Sequence, residues 1–244
     1  MKRTANYFVV ILMSFSLIAC QFNGDFSFGV KGNGNVLKID RTINENFNKI
    51  EISRGMDVYL TQDTKVSLLV EADENLHDII ITEVEGNTLK IYADENISSS
   101  KAQKVFVNFK DIQEIVSTSG SDVYSTKVIQ AENLILKTTS GSDMELEIEV
   151  DVVDCKSTSG SDLRLSGTAN KLYAEATSGS DIKAGDLISN ICNASASSGA
   201  DLAIHVKEKL YATASSGGDI NYYGNPDDVT KKDGASGSIR KLNN

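Results

Sequence analysis

A tetrapeptide that returns about every twenty residues constrains this chain more than any other feature. Four copies read Ser-Gly-Ser-Asp, and two more replace the third residue by Ala or Gly; the six copies end at Asp122, Asp143, Asp162, Asp181, Asp201 and Asp219. Successive aspartates lie 21, 19, 19, 20 and 18 residues apart. A fixed period of this length, with one turn signal in each copy, is typical of a solenoid whose repeats stack on their neighbours.

Between the turns, apolar side chains recur at fixed odd distances from the motif glycine. Seven residues before it stand Leu134, Val153, Leu172, Cys192 and Leu210, and three residues after it stand Val123, Met144, Leu163, Ile182, Leu202 and Ile220. Even distances carry charged residues such as Lys156 and Glu175. Because successive side chains of a strand point to opposite faces, the odd set forms an inner wall. The chain is therefore predicted to be all-β, a single-stranded parallel β-helix with rungs of ~18–21 residues.

The N-terminus carries a processing signal. Lys2 and Arg3 precede an apolar stretch over residues 7–18, which ends in Leu17-Ile18-Ala19-Cys20. This pattern resembles the lipobox of bacterial lipoproteins, so residues 1–19 are predicted to be a signal peptide and Cys20 to carry a lipid anchor. An ordinary secretory peptide with an incidental Cys20 is the alternative.

Three further segments follow from composition and periodicity. Residues 20–35 comprise the lipidated cysteine and a glycine-rich stretch that we interpret as a flexible tether. Residues 36–112 form a less regular β part, with a helix-like segment over residues 74–80 and a degenerate copy of the motif at Arg54-Gly55-Met56-Asp57. Residues 113–244 form the regular β-helix with the repeats.

Charge limits the partners that this chain can bind. The formal net charge is −10, and no basic cluster is present that could neutralise phosphates, so nucleic acid is not an expected partner. Anionic lipid headgroups would also repel the chain. Contact with a membrane is therefore expected through the lipid on Cys20.

Two cysteines remain after the lipobox, Cys155 and Cys192. Their distances from the motif glycine place both on the inner wall, but two turns apart. Two turns span roughly 9.6 Å, which exceeds the ~7 Å Cα separation that a disulfide permits. Both are predicted to be buried free thiols.

The repeated turn has a structural interpretation and a metal-binding alternative. Glycine permits positive φ at the bend, and Ser and Asp side chains bond turn amides, so each rung needs such a corner. The turn glycines are Gly55, Gly120, Gly141, Gly160, Gly179, Gly199 and Gly217. The aspartates Asp57, Asp122, Asp143, Asp162, Asp181, Asp201 and Asp219 would form a ladder of carboxylates, for which Ca²⁺ is the alternative ligand. The structural interpretation is preferred, so neither a metal site nor another cofactor is firmly predicted.

Catalytic chemistry has little support in the sequence. Of the two histidines, His77 lies in the acidic helix-like segment and His205 at an outward register, so both are predicted to be solvated. No nucleophile elbow, phosphate loop or metal-spaced set of His and Cys is present, so no catalytic residue is assigned. Tyr173 and Tyr211 share an outward register two rungs apart. They are candidates for ligand contact, or equally for covering an edge or an oligomer interface.

These signals together resemble one known family. The segment from Phe47 to Leu60, the Ser-Gly-Ser-Asp ladder, Tyr222-Tyr223-Gly224-Asn225-Pro226 and Gly237-Ser238-Ile239 resemble the putative auto-transporter adhesin head GIN domain family, DUF2807, over roughly residues 36–241. The resemblance implies a right-handed single-stranded β-helix on a lipoprotein of the Bacteroidetes type. It implies no catalytic residues.

The expected function is that of a non-catalytic envelope lipoprotein, an adhesin or recognition module that binds a glycan or a protein through the faces of the β-helix. A structural or assembly component of the envelope is the alternative, and a polysaccharide-acting enzyme is a second one. The expected location is the outer membrane, with the surface and periplasmic faces left open. A homo-oligomer is left open as well.

Overall fold

The computed structural model describes residues 29–43, 46–234 and 236–243, so the signal peptide and Cys20 lie outside the described residues. No α-helix occurs among the described residues, and Glu74–Leu76 form one turn of 3₁₀ helix. The strands of the N-terminal part are β1 (Val30–Lys31), β2 (Val36–Arg41), β3 (Lys49–Ile52), β4 (Asp57–Gln62), β5 (Ser67–Asp73), β6 (Ile80–Glu85), β7 (Thr88–Ala93), β8 (Ile97–Ser99) and β9 (Gln103–Phe109). The strands that follow are β10 (Glu114–Thr118), β11 (Asp122–Ser125), β12 (Ile129–Thr139), β13 (Asp143–Thr158), β14 (Asp162–Thr177), β15 (Asp181–Ser197), β16 (Asp201–Ser215), β17 (Asp219–Tyr223), β18 (Asp228–Asp233) and β19 (Ser238–Lys241).

The strands wind into a β-solenoid of about seven turns with rungs of ~19 residues, which confirms the predicted fold class. Adjacent rungs pair in parallel, and near the motif they pair in register, so residues at equal distances from the motif glycine stack on one another there. Register shifts occur farther from the motif, between β14 and β15 and between β15 and β16. Leu172, for example, lies between Val153 and Cys192, and all three are fully buried. The predicted inner wall is therefore the core of the molecule.

The first rung is separated from the second by a long insertion. Strands β3 and β4 pair directly with β10 and β11, so Asp57 lies in register with Asp122 although 65 positions separate them in the sequence. The chain between them forms a cap over this end. Within it, β7 and β9 still pair in parallel with β3 and β4 of the first rung. Beyond them β6 pairs antiparallel with β7, and β5 with β9 and β2, so the parallel stacking stops.

Residues 29–35, which were predicted to belong to the tether, are docked on the cap in a separate two-stranded sheet. Strand β1 pairs with β8, and the buried carboxylate of Asp73 accepts hydrogen bonds from the backbone N–H groups of Gly34 at 2.8 Å, Lys101 at 3.1 Å and Ala102 at 3.0 Å. Burial alone would raise the pKa of Asp73, but these donors outweigh it and hold the pKa below its usual value. Asp73 thus fastens this segment to the cap.

The prediction that His77 is solvated is wrong. Its side chain is only 5% exposed, and its Nε2 lies 3.3 Å from the carbonyl oxygen of Leu37. The Arg41 guanidinium donates to the His77 carbonyl at 2.6 Å. Strand β2 covers this side of the cap, a tertiary contact that the local acidic sequence does not reveal. His205 is half-buried, with its ring centroid 6.3 Å from that of Tyr223.

The last rung of the solenoid carries an exposed lysine at an inward register. Lys231 on β18 stands in register with the buried Ala212, and its Nζ lies 4.7 Å from the centroid of the Tyr222 ring. A cation over an aromatic face is tolerated at such a position, whereas another strand docking there would desolvate it. Inward charges on terminal strands protect sheet edges from pairing with other chains.

Cys155 and Cys192 are buried in the core as free thiols. Cys155 lies in register with Ala174, and Cys192 with Leu172, so they occupy different columns of the inner wall. Burial raises the pKa of both thiols. Since the thiolate is the reactive form, both act as small apolar side chains.

Candidate functional surfaces

The motif corner bends through two successive residues with positive φ. In the second rung these are Ser119, with φ of 57°, and Gly120, with φ of 69°, and every later copy repeats the pair. Two positive φ values in succession are the signature of the tightest turns. The positive φ of the glycine is predictable from the motif, whereas the positive φ of the preceding serine is not. The Gly120 N–H donates to the Ser140 carbonyl of the next rung at 3.2 Å, and this bond recurs up the stack.

The second serine of the motif is a structural residue. Ser142 is fully buried, its hydroxyl donates to the Ser117 carbonyl at 2.8 Å, and its Oγ accepts from the Thr139 N–H at 3.1 Å. The last motif has Gly218 at this position because an added Cβ would lie 2.5 Å from the Ala196 backbone. The glycine in the last copy of the motif therefore has a packing cause.

The motif aspartates form one column on the outside of the solenoid. Strand register places Asp57, Asp122, Asp143, Asp162, Asp181, Asp201 and Asp219 side by side, each half-exposed or exposed. We call this column the aspartate ladder. The Lys183 ammonium bridges Asp162 at 2.9 Å and Asp181 at 3.2 Å, and the Ser238 hydroxyl donates to Asp219 at 2.7 Å.

Mutual repulsion along the ladder changes its protonation. Partial burial, and then the charges of the neighbouring aspartates, raise the pKa of Asp122 and of Asp201. A carboxyl group whose pKa is higher in the folded than in the unfolded state binds protons more tightly when folded. The ionised carboxylates of Asp122 and Asp201 therefore oppose folding at neutral pH, and this cost is relieved as the pH falls through their folded-state pKa.

We expect Asp122→Asn to raise the melting temperature at pH 7, because it removes one of the repelling charges. The gain should shrink at pH 4, where Asp122 is increasingly protonated in the folded protein. Calorimetry at both pH values measures this difference, with Asp111→Asn, at an exposed position outside the ladder, as the control. A lower melting temperature for Asp122→Asn at pH 7 would contradict the repulsion.

The ladder offers one carboxylate in each rung. Among the described residues, no group of three or more His, Cys, Asp or Glu side chains is arranged to hold a metal ion. The Ca²⁺ alternative for this column stays a prediction.

The outer wall on the other side of the motif corner carries the two candidate tyrosines. Tyr173 is 41% exposed and Tyr211 is 42% exposed, and Asn193 lies between them in register. Ile135, 37% exposed, belongs to the same column. The ion pair between Lys156 and Glu175, at 3.1 Å, lies in the adjacent outward column. We call this the tyrosine face; its exposed rings can stack on a flat partner.

A second aromatic group lies beside the aspartate ladder and was missed by the sequence analysis. The Tyr59 ring stacks on Phe106 at 5.0 Å and on Tyr124 at 5.3 Å between centroids, and the Lys104 Nζ lies 5.7 Å from the Tyr59 centroid. These ring faces contact one another, so they stabilise the first rungs rather than offer a platform. The stacking of Tyr59 on Tyr124 could have been predicted, because both lie four residues after their motif glycines. The contact with Phe106 could not, because the pairing of β9 with β4 follows no repeat in the sequence.

The fold and its regular outer surfaces define a parallel β-solenoid that displays flat, repeating walls. The model of the family described as "Putative auto-transporter adhesin, head GIN domain" (DUF2807) matches residues 46–226, and the chain belongs to this family. None of the curated proteins matches the sequence significantly.

Solved structures share the fold. A "putative adhesin" from Bacteroides fragilis is 23% identical with a TM-score of 0.82, covering 88% of this chain and 100% of its own. A "putative adhesin" from Parabacteroides merdae is 19% identical with a TM-score of 0.72, covering 87% and 98%. A "putative lipid binding protein" from Parabacteroides distasonis is 24% identical with a TM-score of 0.69, covering 87% and 99%.

The family description fits an adhesin-like protein of the envelope or cell surface and names no enzyme. Within the described part of the chain, no helix is long and apolar enough to cross a membrane.

Proposed function

We propose that this protein is a non-catalytic recognition module that is lipid-anchored through Cys20 in the outer membrane and binds a glycan or protein ligand in adhesion. The observation that carries the proposal is the tyrosine face. Two aromatic rings of more than 40% exposure stand in one column of a rigid wall. Large exposed side chains in a regular array are typical of contact surfaces.

The geometry of this face supports binding by stacking and hydrogen bonding together. Tyr173 and Tyr211 are two rungs apart, which is ~10 Å along the solenoid axis. Asn193 between them offers an amide donor and an acceptor. Because the backbone of each rung is bonded to the rungs above and below, the rings are held in place before the ligand arrives, which lowers the entropic cost of binding.

The double variant Tyr173→Ala/Tyr211→Ala tests this proposal. We expect beads coated with the wild-type protein to adhere to a panel of immobilised glycans and matrix proteins, and the double variant to lose at least about tenfold in affinity, since each stacked ring contributes about 1 kcal/mol or more. The matched control is Tyr59→Ala, which removes a ring that is stacked within the fold. Equal adhesion by wild type and double variant would contradict a role for the tyrosine face.

The membrane side is tested by protease treatment of intact cells, with the protein followed by antibody. Cleavage at the surface is expected for an adhesin. Full protection until lysis would instead favour the structural or assembly role in the periplasm.

A further inference from the structure

A groove runs along the solenoid at the corner opposite the motif. In β13 the alternation of buried and exposed residues breaks after Val150, where Asp151 and Val152 both face outward before Val153 returns to the core. The same corner in five successive rungs, β12 to β16, leaves an open groove of about 650 Å³. This volume lies within the range of ligand sites, ~300–1,000 Å³. The corner separates the groove from the tyrosine face.

The floor of the groove is formed mainly by strand backbone. Ala131, Val150 and Ala169 stack in register beneath it, and Val150 and Ala169 belong to the core, at 8% and 5% exposed. Because these side chains point toward the core, they do not rise between the two outward columns that flank the floor. A flat ligand such as a sugar ring can therefore lie against the floor between two rows of polar side chains.

One bank of the groove is a ladder of planar polar side chains that bond one another from rung to rung. The Asn190 amide donates to Asn170 Oδ1 at 3.2 Å, and the Asn170 amide donates to Asp151 Oδ1 at 2.9 Å. On the other bank the Gln130 amide donates to Glu149 at 2.9 Å. These bonds fix the side chains while leaving the second N–H of each amide for a ligand.

We propose that this groove binds a neutral, linear, β-linked glycan that lies along the solenoid axis with about one sugar ring per rung. The rung spacing of ~4.8 Å is close to the length of one extended sugar residue, so each ring meets the same pair of banks. Fixed amides and carboxylates are suited to sugar hydroxyls, which both donate and accept. This surface is separate from the tyrosine face on which the proposed function rests, and the ligand is narrowed from a glycan or protein to a neutral, linear, β-linked glycan.

The charge of the groove selects a neutral chain. The carboxylates of Glu149 and Asp151 would repel a uronic acid polymer, while Lys207 at the far end is the single cation among the described lining residues. Each of the two carboxylates is already bonded to a neighbouring amide, and the rest of both banks is neutral. A polycationic peptide would therefore find few free charges to pair with.

The test uses the purified full-length protein in detergent and titration calorimetry with four probes: cellohexaose, chitohexaose, hexagalacturonate and hexalysine. We expect at least one of the two neutral hexasaccharides to bind and the two charged probes not to bind. Asn170→Leu keeps the side-chain volume but removes the amide, and it should weaken binding by about tenfold. The control Asn221→Leu makes the same change on the wall that carries the aspartate ladder and should alter affinity less than about twofold.

The outcomes separate this inference from the proposed function. Neutral binding that is unchanged by Asn170→Leu but lost in Tyr173→Ala/Tyr211→Ala would overturn the groove and leave the tyrosine face standing. Failure of both neutral hexasaccharides, with or without binding of a charged probe, would also overturn the groove, while adhesion to matrix proteins would still test the tyrosine face. If Asn170→Leu fails to fold by circular dichroism, Asn190→Ala removes the next amide of the same ladder and decides the question.

Discussion

Replacing Leu172 by Asp is expected to lower the free energy of unfolding by about 3–5 kcal/mol. Leu172 is fully buried in the column between Val153 and Cys192, so the new carboxylate would enter an apolar wall with no partner. Each rung of a solenoid is stabilised by its neighbours, so damage in a central rung weakens the contacts on both sides. Urea denaturation followed by circular dichroism measures the loss.

The matched control introduces the same charge one residue away. Tyr173→Asp places a carboxylate on the outer wall, where it reaches water, and should cost less than about 1 kcal/mol. The contrast between adjacent positions tests the alternation itself. Equal stability of the Leu172→Asp and Tyr173→Asp variants would show that the assigned inner wall is wrong.

Gly167→Ala is expected to destabilise the protein by more than about 3 kcal/mol. Gly167 has φ of 108°, and a Cβ added there would lie 2.1 Å from the Ile148 carbonyl oxygen of the preceding rung. Because the added Cβ would clash with backbone rather than with a flexible side chain, the two strands would have to move apart and lose hydrogen bonds between them. Thermal unfolding monitored by calorimetry measures the effect.

Gly160→Ala is the counterpart at a motif glycine. Gly160 has φ of 68°, but a Cβ there would meet no described atom within 4 Å. The expected cost is that of the left-handed conformation alone, about 1–2 kcal/mol, which the neighbouring Ser159 already bears at φ of 59°. A larger loss for Gly160→Ala than for Gly167→Ala would contradict this account of close strand approach.

The regular half of the fold could be predicted because its information is local and repeated. Leu172 and Cys192 stand at one distance from their motif glycines, and the structure places them in one column. The cap could not be predicted in this way. Burial of His77 depends on β2 crossing over it, and the docking of residues 29–35 depends on tertiary hydrogen bonds such as the one from the Gly34 N–H to the Asp73 carboxylate. Contacts of this kind leave no period in the sequence.

The surfaces were predictable to different degrees. The outward position of Tyr173 and Tyr211 could be predicted, because both lie an even number of residues before their motif glycines, whereas core residues lie at odd distances. The groove does not, because it depends on a break in alternation at Asp151 and Val152, and on side-chain bonds such as that between Asn170 and Asp151. The sequence does show an acid or amide nine residues before each motif glycine in this region, as at Asp151, Asn170 and Asn190. This recurrence could have predicted a column of polar side chains on one bank of the groove.

Strands β18 and β19 lie at one end of the solenoid and the antiparallel cap lies at the other, so the stack can change in length between these two ends. A copy of the β13 rung inserted between β13 and β14 would meet the same register above and below and would leave both ends as they are. Each such event would lengthen the tyrosine face, the aspartate ladder and the groove together by ~4.8 Å. The length of the solenoid can thus change by one rung at a time, through duplication or deletion of about nineteen residues.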